Sequence, residues 1–218
     1  MIHAYNKYYL DDVMSAMGAM FDYAVNACGQ GMELFHFRFL ASGVAGQIEM
    51  RNPKYLSGLS GIEMAQEVLV KTGCVMSAPN DRVIDQGSAE YWTGWTLAYL
   101  QWYLNVSFSV LQQRGMGISE LYSNYGTLHE ADLSKSVEIV RDRLVESYKK
   151  DNPLRAARKN AGLTQEELAS LTGSSLSAIR AYEQGRLNIS NAAAESVLKI
   201  CQEIGCSLSS MLPVNNLN

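Results

Sequence analysis

The side chains that most often carry catalysis or bind metal ions are present in this sequence, but their spacing does not assemble a site. Asp11, Asp12 and Asp22 fall in one predicted helix, yet no histidine or cysteine lies at helical spacing from them, so they are expected to be solvated. The pair His129-Glu130 lacks the second histidine of a zinc motif, and the four cysteines form no CxxC pair. No nucleophile is paired with a base, and no glycine-rich loop is placed to hold a phosphate. The sequence therefore predicts no enzyme, no cofactor and no metal site.

A polar stretch from Leu163 to Gly185, LTQEELASLTGSSLSAIRAYEQG, instead predicts a helix, a tight turn and a second helix. Thr164 and Glu167 have the spacing of a capping box at the start of the first helix. Gly173 is placed where this helix must end in a left-handed residue, and Ser175 caps the second helix. Two short helices joined by so tight a turn cross steeply. One of them then projects, in the geometry that fits the major groove of DNA.

This stretch resembles the helix-turn-helix of the Cro and lambda-type repressor family, also called XRE-like, over about Pro153 to Leu212. The resemblance implies that residues 151–218 form a five-helix lambda-repressor-like DNA-binding domain, with its first helix at 153–161 and its last turn of helix at 207–212. The residues that carry the resemblance are Arg158, Leu163-Thr164-Gln165, Glu167-Leu168-Ala169, Gly173, Ser175, Ile179, Tyr182-Glu183-Gln184-Gly185, Leu198-Lys199-Ile200 and Gly205-Cys206-Ser207-Leu208.

The resemblance also implies a role for each matching position, because in this family the second helix lies in the major groove and the first crosses the backbone. Gln165 would hold a phosphate at the start of the crossing helix. The opening of the second helix would face base edges with Ser174, Ser175, Leu176 and Ser177.

Four further positions follow along the same surface. Arg180 would pair with guanine or a phosphate, and Ala181 would touch a thymine methyl group. Arg186 and Asn188, just after the motif, suit contacts to the DNA backbone.

Two positions are implied to hold the domain together rather than to read DNA. Arg158 and Glu183 match a buried ion pair of the family, which is part of the scaffold. Some positions depart from the family pattern: Ser174 replaces an apolar residue, and Leu176 and Ser177 are poor at bidentate base recognition. Arg180 and DNA shape are therefore expected to contribute more of the specificity.

Residues 1–150 predict an all-helical domain that dimerises or binds a partner. Apolar residues that recur at helical spacing, together with capping residues, predict its helices. Residues 74–87 are expected to form an exposed loop. The most aromatic stretch, 89–113, is apolar nearly all round and is therefore expected to be buried, as the hub of this domain or as part of a dimer face. The expected helices are 7–28, 32–48 with a break near Ser42-Gly43, 60–72 with Ser60 and Glu63 as a capping box, 89–113, 118–125 and 132–148.

Composition adds limits on function. The chain has 218 residues, of which 47% are hydrophobic and 18% charged, and its net charge is −4, as expected of a globular protein. Residues 1–150 carry 12 basic and 16 acidic residues, and residues 151–218 carry six of each. The DNA-binding part is thus neutral, and a few placed charges, doubled in a dimer, must suffice. No signal peptide or membrane span is seen, which predicts a cytoplasmic protein.

The sequence therefore predicts a sequence-specific transcriptional regulator, a repressor that binds operator DNA as a homodimer. Residues 1–150 also resemble the N-terminal part of two-domain antitoxin-like helix-turn-helix proteins, through the stretches Ser60–Glu67 and Tyr91–Trp95. This resemblance implies an antitoxin that binds a toxin protein and represses its own operon. Two alternatives stay open. One is a regulator that senses a small molecule or another protein, its pocket lined by Phe35 and three tryptophans, and the other is an interaction protein that does not bind DNA.

Overall fold

The computed structural model of the protein describes residues 3–74, 83–150, 152–206 and 211. Every regular element within these ranges is a helix and none is a strand, which confirms the all-α prediction. The chain divides into two compact units, Met1–Arg141 and Asp142–Asn218, called here the N-terminal and the C-terminal unit. The domain boundary expected near residue 150 stays a prediction.

The N-terminal unit contains, within the described residues, nine α-helices and the beginning of a tenth. A π-helical turn, Tyr23–Ala27, continues the first helix, and the left-handed Gly43 separates α2 from α3, which confirms the expected break. Residues 75–82 of the expected loop lie outside the described residues. The helices are α1 (Leu10–Asp22), α2 (Met32–Ala41), α3 (Val44–Glu49), α4 (Pro53–Leu56), α5 (Gly61–Lys71), α6 (Ala89–Leu104), α7 (Phe108–Arg114), α8 (Ile118–Ser123), α9 (Tyr125–Leu128) and α10 (Leu133–Lys150).

Helix α1 lies at the centre of this unit and packs against α5 and α6. The α1–α6 contact is close because Gly94 carries no side chain. A Cβ atom at Gly94 would lie 2.4 Å from the Met17 carbonyl oxygen and 2.8 Å from the Phe21 ring. Gly61, at the start of α5, lies equally close to the backbone of α1. Small residues at two crossings thus let three helices share one core.

The aromatic stretch predicted as one helix over 89–113 is two helices, so that prediction is wrong in its continuity. Helix α6 ends at Leu104, and Asn105 adopts the left-handed conformation with φ 52°. Ser107 then accepts a hydrogen bond from the Val110 backbone and caps α7. Asparagine tolerates the left-handed region better than other residues with a Cβ atom, so an Asn two residues before a serine cap was the sequence signal.

One of the three aspartates expected to be solvated is instead fully buried. Asp11 and Asp12 are exposed, as predicted. Asp22 accepts hydrogen bonds from the Asn26 amide at 2.9 Å and from the Ser88 hydroxyl at 2.8 Å. It thereby joins the end of α1 to the cap of α6. The prediction for Asp22 is wrong because its partner is distant in sequence.

The C-terminal unit contains, in the described residues after α10, four α-helices and one 3-10 turn, Ile189–Asn191. Asn152 caps the first of these helices and Pro153 is its first residue. The fifth helix expected at 207–212 lies outside the described residues, apart from Met211, which is buried in the core of the unit. The helices are α11 (Pro153–Asn160), α12 (Gln165–Thr172), α13 (Leu176–Glu183) and α14 (Ala194–Ile204).

Candidate nucleic-acid interface

The turn between α12 and α13 has the local geometry predicted from sequence. Thr164 and Glu167 form both hydrogen bonds of the capping box. Gly173 has φ 66°, and the Ser174 backbone N–H donates to the Ala169 carbonyl at 3.0 Å, which closes the end of α12. The Ser175 hydroxyl accepts from the Ala178 backbone at the start of α13. These caps satisfy the helix ends and fix the direction in which α13 leaves the turn.

A buried ion pair joins the first and third helices of this unit. The Arg158 guanidinium donates to both carboxylate oxygens of Glu183, at 2.5 and 3.0 Å, and to the Leu163 carbonyl at 2.6 Å. Glu183 is only 1% exposed. Burial alone would raise the pKa of Glu183, but the hydrogen bonds from Arg158 and Gln165 hold it below its ordinary value. The carboxylate is therefore charged at neutral pH and fully used within the fold.

Gln165, expected to hold a phosphate, has both ends of its side-chain amide engaged. Its Nε2 donates to Glu183 at 2.7 Å, and its Oε1 accepts from Arg180 Nε at 3.4 Å. Arg180 is also paired with Glu166, at 2.9 Å. One chain of polar contacts thus runs from the buried ion pair out to a guanidinium on the surface, where about half of the Arg180 side chain remains exposed.

The residues expected to face bases differ in how far they are available. Ser177 is exposed, whereas Ser174 and Leu176 are half-buried. Ser175 is exposed, but its hydroxyl already caps α13 and hydrogen-bonds the Ser177 hydroxyl at 3.0 Å. The Ser175 side chain therefore stabilises the start of α13 and is less available than Ser177 for contacts with bases.

Beyond α13, the two expected backbone-contacting residues are placed differently. Arg186 is exposed. Asn188 is half-buried, and its side chain accepts a hydrogen bond from the Ser190 backbone at 2.9 Å, so it caps the 3-10 turn. Arg186 is thus the side chain of the two that can reach a partner.

An open concavity of about 610 Å³ lies on the outer surface of α13 and the residues after it. Five residues of the predicted set lie together on this surface: Leu176, Ser177, Arg180, Ala181 and Arg186. Sequence reasoning missed two residues of this region, Leu187 in the concavity and Glu166 beside Arg180. For Leu187, the available sequence signal was a leucine within a polar loop. For Glu166 there was no such signal, because only the turn between the two helices brings it close to Arg180. The lining residues are Leu176, Ser177, Arg180, Ala181, Arg186 and Leu187.

Comparison with known proteins agrees with this geometry for one part of the chain. Residues 154–210 match the family model described as Helix-turn-helix. No curated protein and no solved structure matches the chain. The described part of the chain is thus all helical, and residues 154–210 form a helix-turn-helix domain, a fold that supports DNA binding by the C-terminal unit.

A metal centre and a membrane-spanning helix are both absent from the described residues. No cluster of three or more His, Cys, Asp or Glu side chains there has an arrangement that could hold a metal ion. Among the same residues, no helix combines the length and the apolar character needed to cross a bilayer.

Proposed function

We propose that this protein is a sequence-specific DNA-binding regulator that represses transcription by placing α13 in the major groove of an operator. The observation that carries the proposal is the exposed surface of α13, which includes Arg180. The buried Arg158–Glu183 ion pair holds this helix in place. The match of residues 154–210 to the helix-turn-helix model supports it independently. Helix α12 would cross the phosphate backbone, as first helices of this motif do.

Replacing Arg180 by alanine is expected to weaken binding to a specific duplex by about 1–3 kcal/mol, because its guanidinium is a charged donor on the exposed surface of α13. The duplex would be selected by the wild-type protein from a random-sequence pool, and affinity would be measured by fluorescence anisotropy at two salt concentrations. Lys199→Ala removes the same charge from α14, outside the motif, and serves as the control. Equal losses for the two variants would contradict the role of Arg180.

Glu166→Gln removes the negative charge that is paired with Arg180 and is expected to have the opposite effect on DNA affinity. Its carboxylate pairs with Arg180 and is itself exposed, so it both occupies the guanidinium and repels phosphate. We expect this variant to bind the selected duplex more tightly than wild type. A weaker complex would instead indicate that Glu166 positions Arg180 for DNA.

We further propose that the N-terminal unit makes the protein a homodimer. A single module of this size binds weakly, and two half-sites restore the affinity. Leu34 and Phe37 support this proposal because they are 50% and 68% exposed on one side of α2. Large apolar side chains exposed together often mark contacts with other proteins.

The dimer is tested at Phe37. Phe37→Asp is expected to convert the dimer to a monomer in analytical ultracentrifugation, because a charge in an apolar contact is strongly unfavourable. The same variant should bind a two-half-site duplex much more weakly while its affinity for one half-site is unchanged. Tyr8→Asp, at a side chain 92% exposed on a different element, is the matched control. A monomeric wild-type protein would refute this part of the proposal.

We also propose that the protein is an antitoxin, in which residues 1–150 bind a toxin protein and the C-terminal unit represses the operon that encodes both. The acidic excess of residues 1–150 supports it, since an acidic surface suits a basic toxin. The sensor alternative has less support, because Phe35 and Trp102, two of the residues expected to line its pocket, are used in the core. Phe35 is fully buried against Phe21, and the Trp102 indole donates to the Tyr5 carbonyl.

A further inference from the structure

Two cysteines, Cys201 and Cys206, lie on either side of the end of α14. Gly205 between them adopts the left-handed conformation with φ 65°. The Cys206 backbone N–H donates to the Cys201 carbonyl at 3.0 Å, and the Gly205 N–H donates to the Gln202 carbonyl at 3.4 Å. These are the two hydrogen bonds of a Schellman motif, in which the side chains of the first and last residues often meet across the helix end. At the end of α14 both of those side chains are thiols.

The separation of the two cysteines is suitable for a covalent bond between them. Because the 3.0 Å backbone hydrogen bond joins atoms next to each Cα, the Cα atoms of Cys201 and Cys206 are within roughly 7 Å of each other. A larger separation would prevent a disulfide from forming without movement of the backbone. The two thiols are also hydrogen-bonded to each other. The folded backbone therefore holds them in contact.

The two thiols differ in their access to solvent. Cys201 is 5% exposed and belongs to the core of the C-terminal unit, whereas Cys206 is half-buried at the edge of this core. Burial, together with the hydrogen bond from Cys206, raises the pKa of Cys201 to about 11. Cys201 is therefore uncharged at neutral pH and shielded from solutes, so a dissolved oxidant reaches Cys206 first.

We propose that Cys201 and Cys206 form a disulfide when the protein meets a peroxide, which makes the end of α14 an oxidant-responsive site. In a reducing compartment the pair stays as two thiols, and disulfides formed there are usually transient or redox-sensing. This inference goes beyond the proposed function and does not depend on it, because both cysteines lie outside the α12–α13 motif.

The reaction proceeds in two steps. The Cys206 sulfur first attacks one oxygen of the peroxide, the O–O bond breaks, and Cys206 becomes a sulfenic acid while the peroxide leaves as an alcohol or as water. The Cys201 sulfur then attacks the Cys206 sulfur, the S–O bond breaks, and the hydroxide leaves with the Cys201 proton as water. The two thiols together lose two electrons and two protons, and the peroxide gains them.

Mass spectrometry of the full-length protein after treatment with hydrogen peroxide tests the proposal. Treated protein is unfolded with an alkylating reagent and cut with trypsin, which leaves both cysteines in one peptide, residues 200–218, because no lysine or arginine follows Lys199. Apart from any oxygen added at Met211, this peptide should be lighter by two hydrogen atoms than the reduced peptide and should carry no alkyl group. Dithiothreitol should restore both alkylation sites.

The other two cysteines provide the control within the same protein. Cys28 and Cys74 are also half-buried and lie in other tryptic peptides, so they should remain alkylated at the same peroxide concentration. Parallel loss of alkylation at all four cysteines would overturn the proposal. So would cross-linked peptides that join Cys201 or Cys206 to another cysteine or to a second copy of the chain.

Single substitutions test the order of the two steps. Cys201→Ser removes the buried partner and should leave Cys206 as a sulfenic acid, which dimedone traps. Cys206→Ser leaves Cys201 alone in the core, where dimedone should not label it. A dimedone adduct on Cys201 in place of Cys206 would overturn the assigned order. The wild-type measurement needs no substitution, so it decides the proposal even where a core variant fails to fold.

The bridge should also stabilise the C-terminal unit, because a disulfide constrains the unfolded chain. In circular dichroism, peroxide-treated wild type should unfold in part at a higher denaturant concentration than the reduced protein. The tryptophans, all in the N-terminal unit, should report an unchanged transition. Cys206→Ser treated in the same way should show no shift. A lower midpoint for the bridged wild type would contradict a site whose folded geometry accommodates the bond.

Discussion

Glu183→Ala is expected to lower the free energy of unfolding of the C-terminal unit by about 3–5 kcal/mol, the range found when one partner of a buried ion pair is removed. The variant leaves the Arg158 guanidinium buried without its carboxylate, and Gln165 loses the oxygen to which it donates. Gln165 also accepts a hydrogen bond from Arg180, so the loss of Glu183 should leave Arg180 less well positioned. DNA affinity should therefore fall even where the domain remains folded.

Two optical probes separate the units in this experiment. All three tryptophans, Trp92, Trp95 and Trp102, belong to the N-terminal unit, whereas circular dichroism reports helices in both. Glu183→Ala should shift part of the dichroism transition to lower denaturant and leave the tryptophan transition unchanged. Glu203→Ala removes an exposed carboxylate from α14 and should change neither. A dichroism transition that overlays the wild type would show that the ion pair contributes little.

The same pair predicts a direction of pH dependence. The pKa of Glu183 is depressed in the folded protein, so its unfolded form binds protons more readily. The stabilisation is fully present above the ordinary carboxyl pKa of 4.5 and is lost as the pH falls through the depressed value. Glu183→Ala should therefore be less sensitive than wild type in this acid range, measured by the midpoint of denaturant unfolding.

Gly94→Ala is expected to destabilise the N-terminal unit by about 1–3 kcal/mol, because overpacking a tight core forces backbone and side chains to move. The added Cβ would lie 2.4 Å from a backbone oxygen of α1, which cannot rotate away. The effect should outweigh the gain of about 1 kcal/mol that alanine brings to a helix interior.

Tryptophan fluorescence during thermal unfolding measures this effect directly, since Trp92 and Trp95 flank the substitution. Gly46→Ala is the matched control: this glycine is also helical, but nothing lies within 4 Å of the added atom, so the same change should be neutral or stabilising. A Gly94→Ala protein that melts at or above the wild-type temperature would mean that α1 and α6 have room to separate.

The features that sequence determined are those whose partners lie within a few residues. The capping boxes at Ser60 and Thr164, and the left-handed Gly173, depend on positions at most four apart. A helix end needs its backbone groups satisfied locally, so the residue types at these positions suffice to place it. The helix-turn-helix was therefore predictable in its elements and in its turn, and its family resemblance supplied the roles.

The features that only the tertiary structure decided depend on partners distant in sequence. Asp22 is buried because Ser88, 66 positions away, donates to it, and the local pattern favoured a solvated residue. Arg180 is paired because the turn brings Glu166 to it across 14 positions.

Sequence thus determined where the helices of the motif begin and end, and which surface of α13 faces outward. Tertiary structure decided which of those outward side chains are available. The physical reason is that a helix cap is a backbone requirement met by neighbours, whereas the state of a charged or apolar side chain depends on which distant groups the packing brings within hydrogen-bond or van der Waals distance.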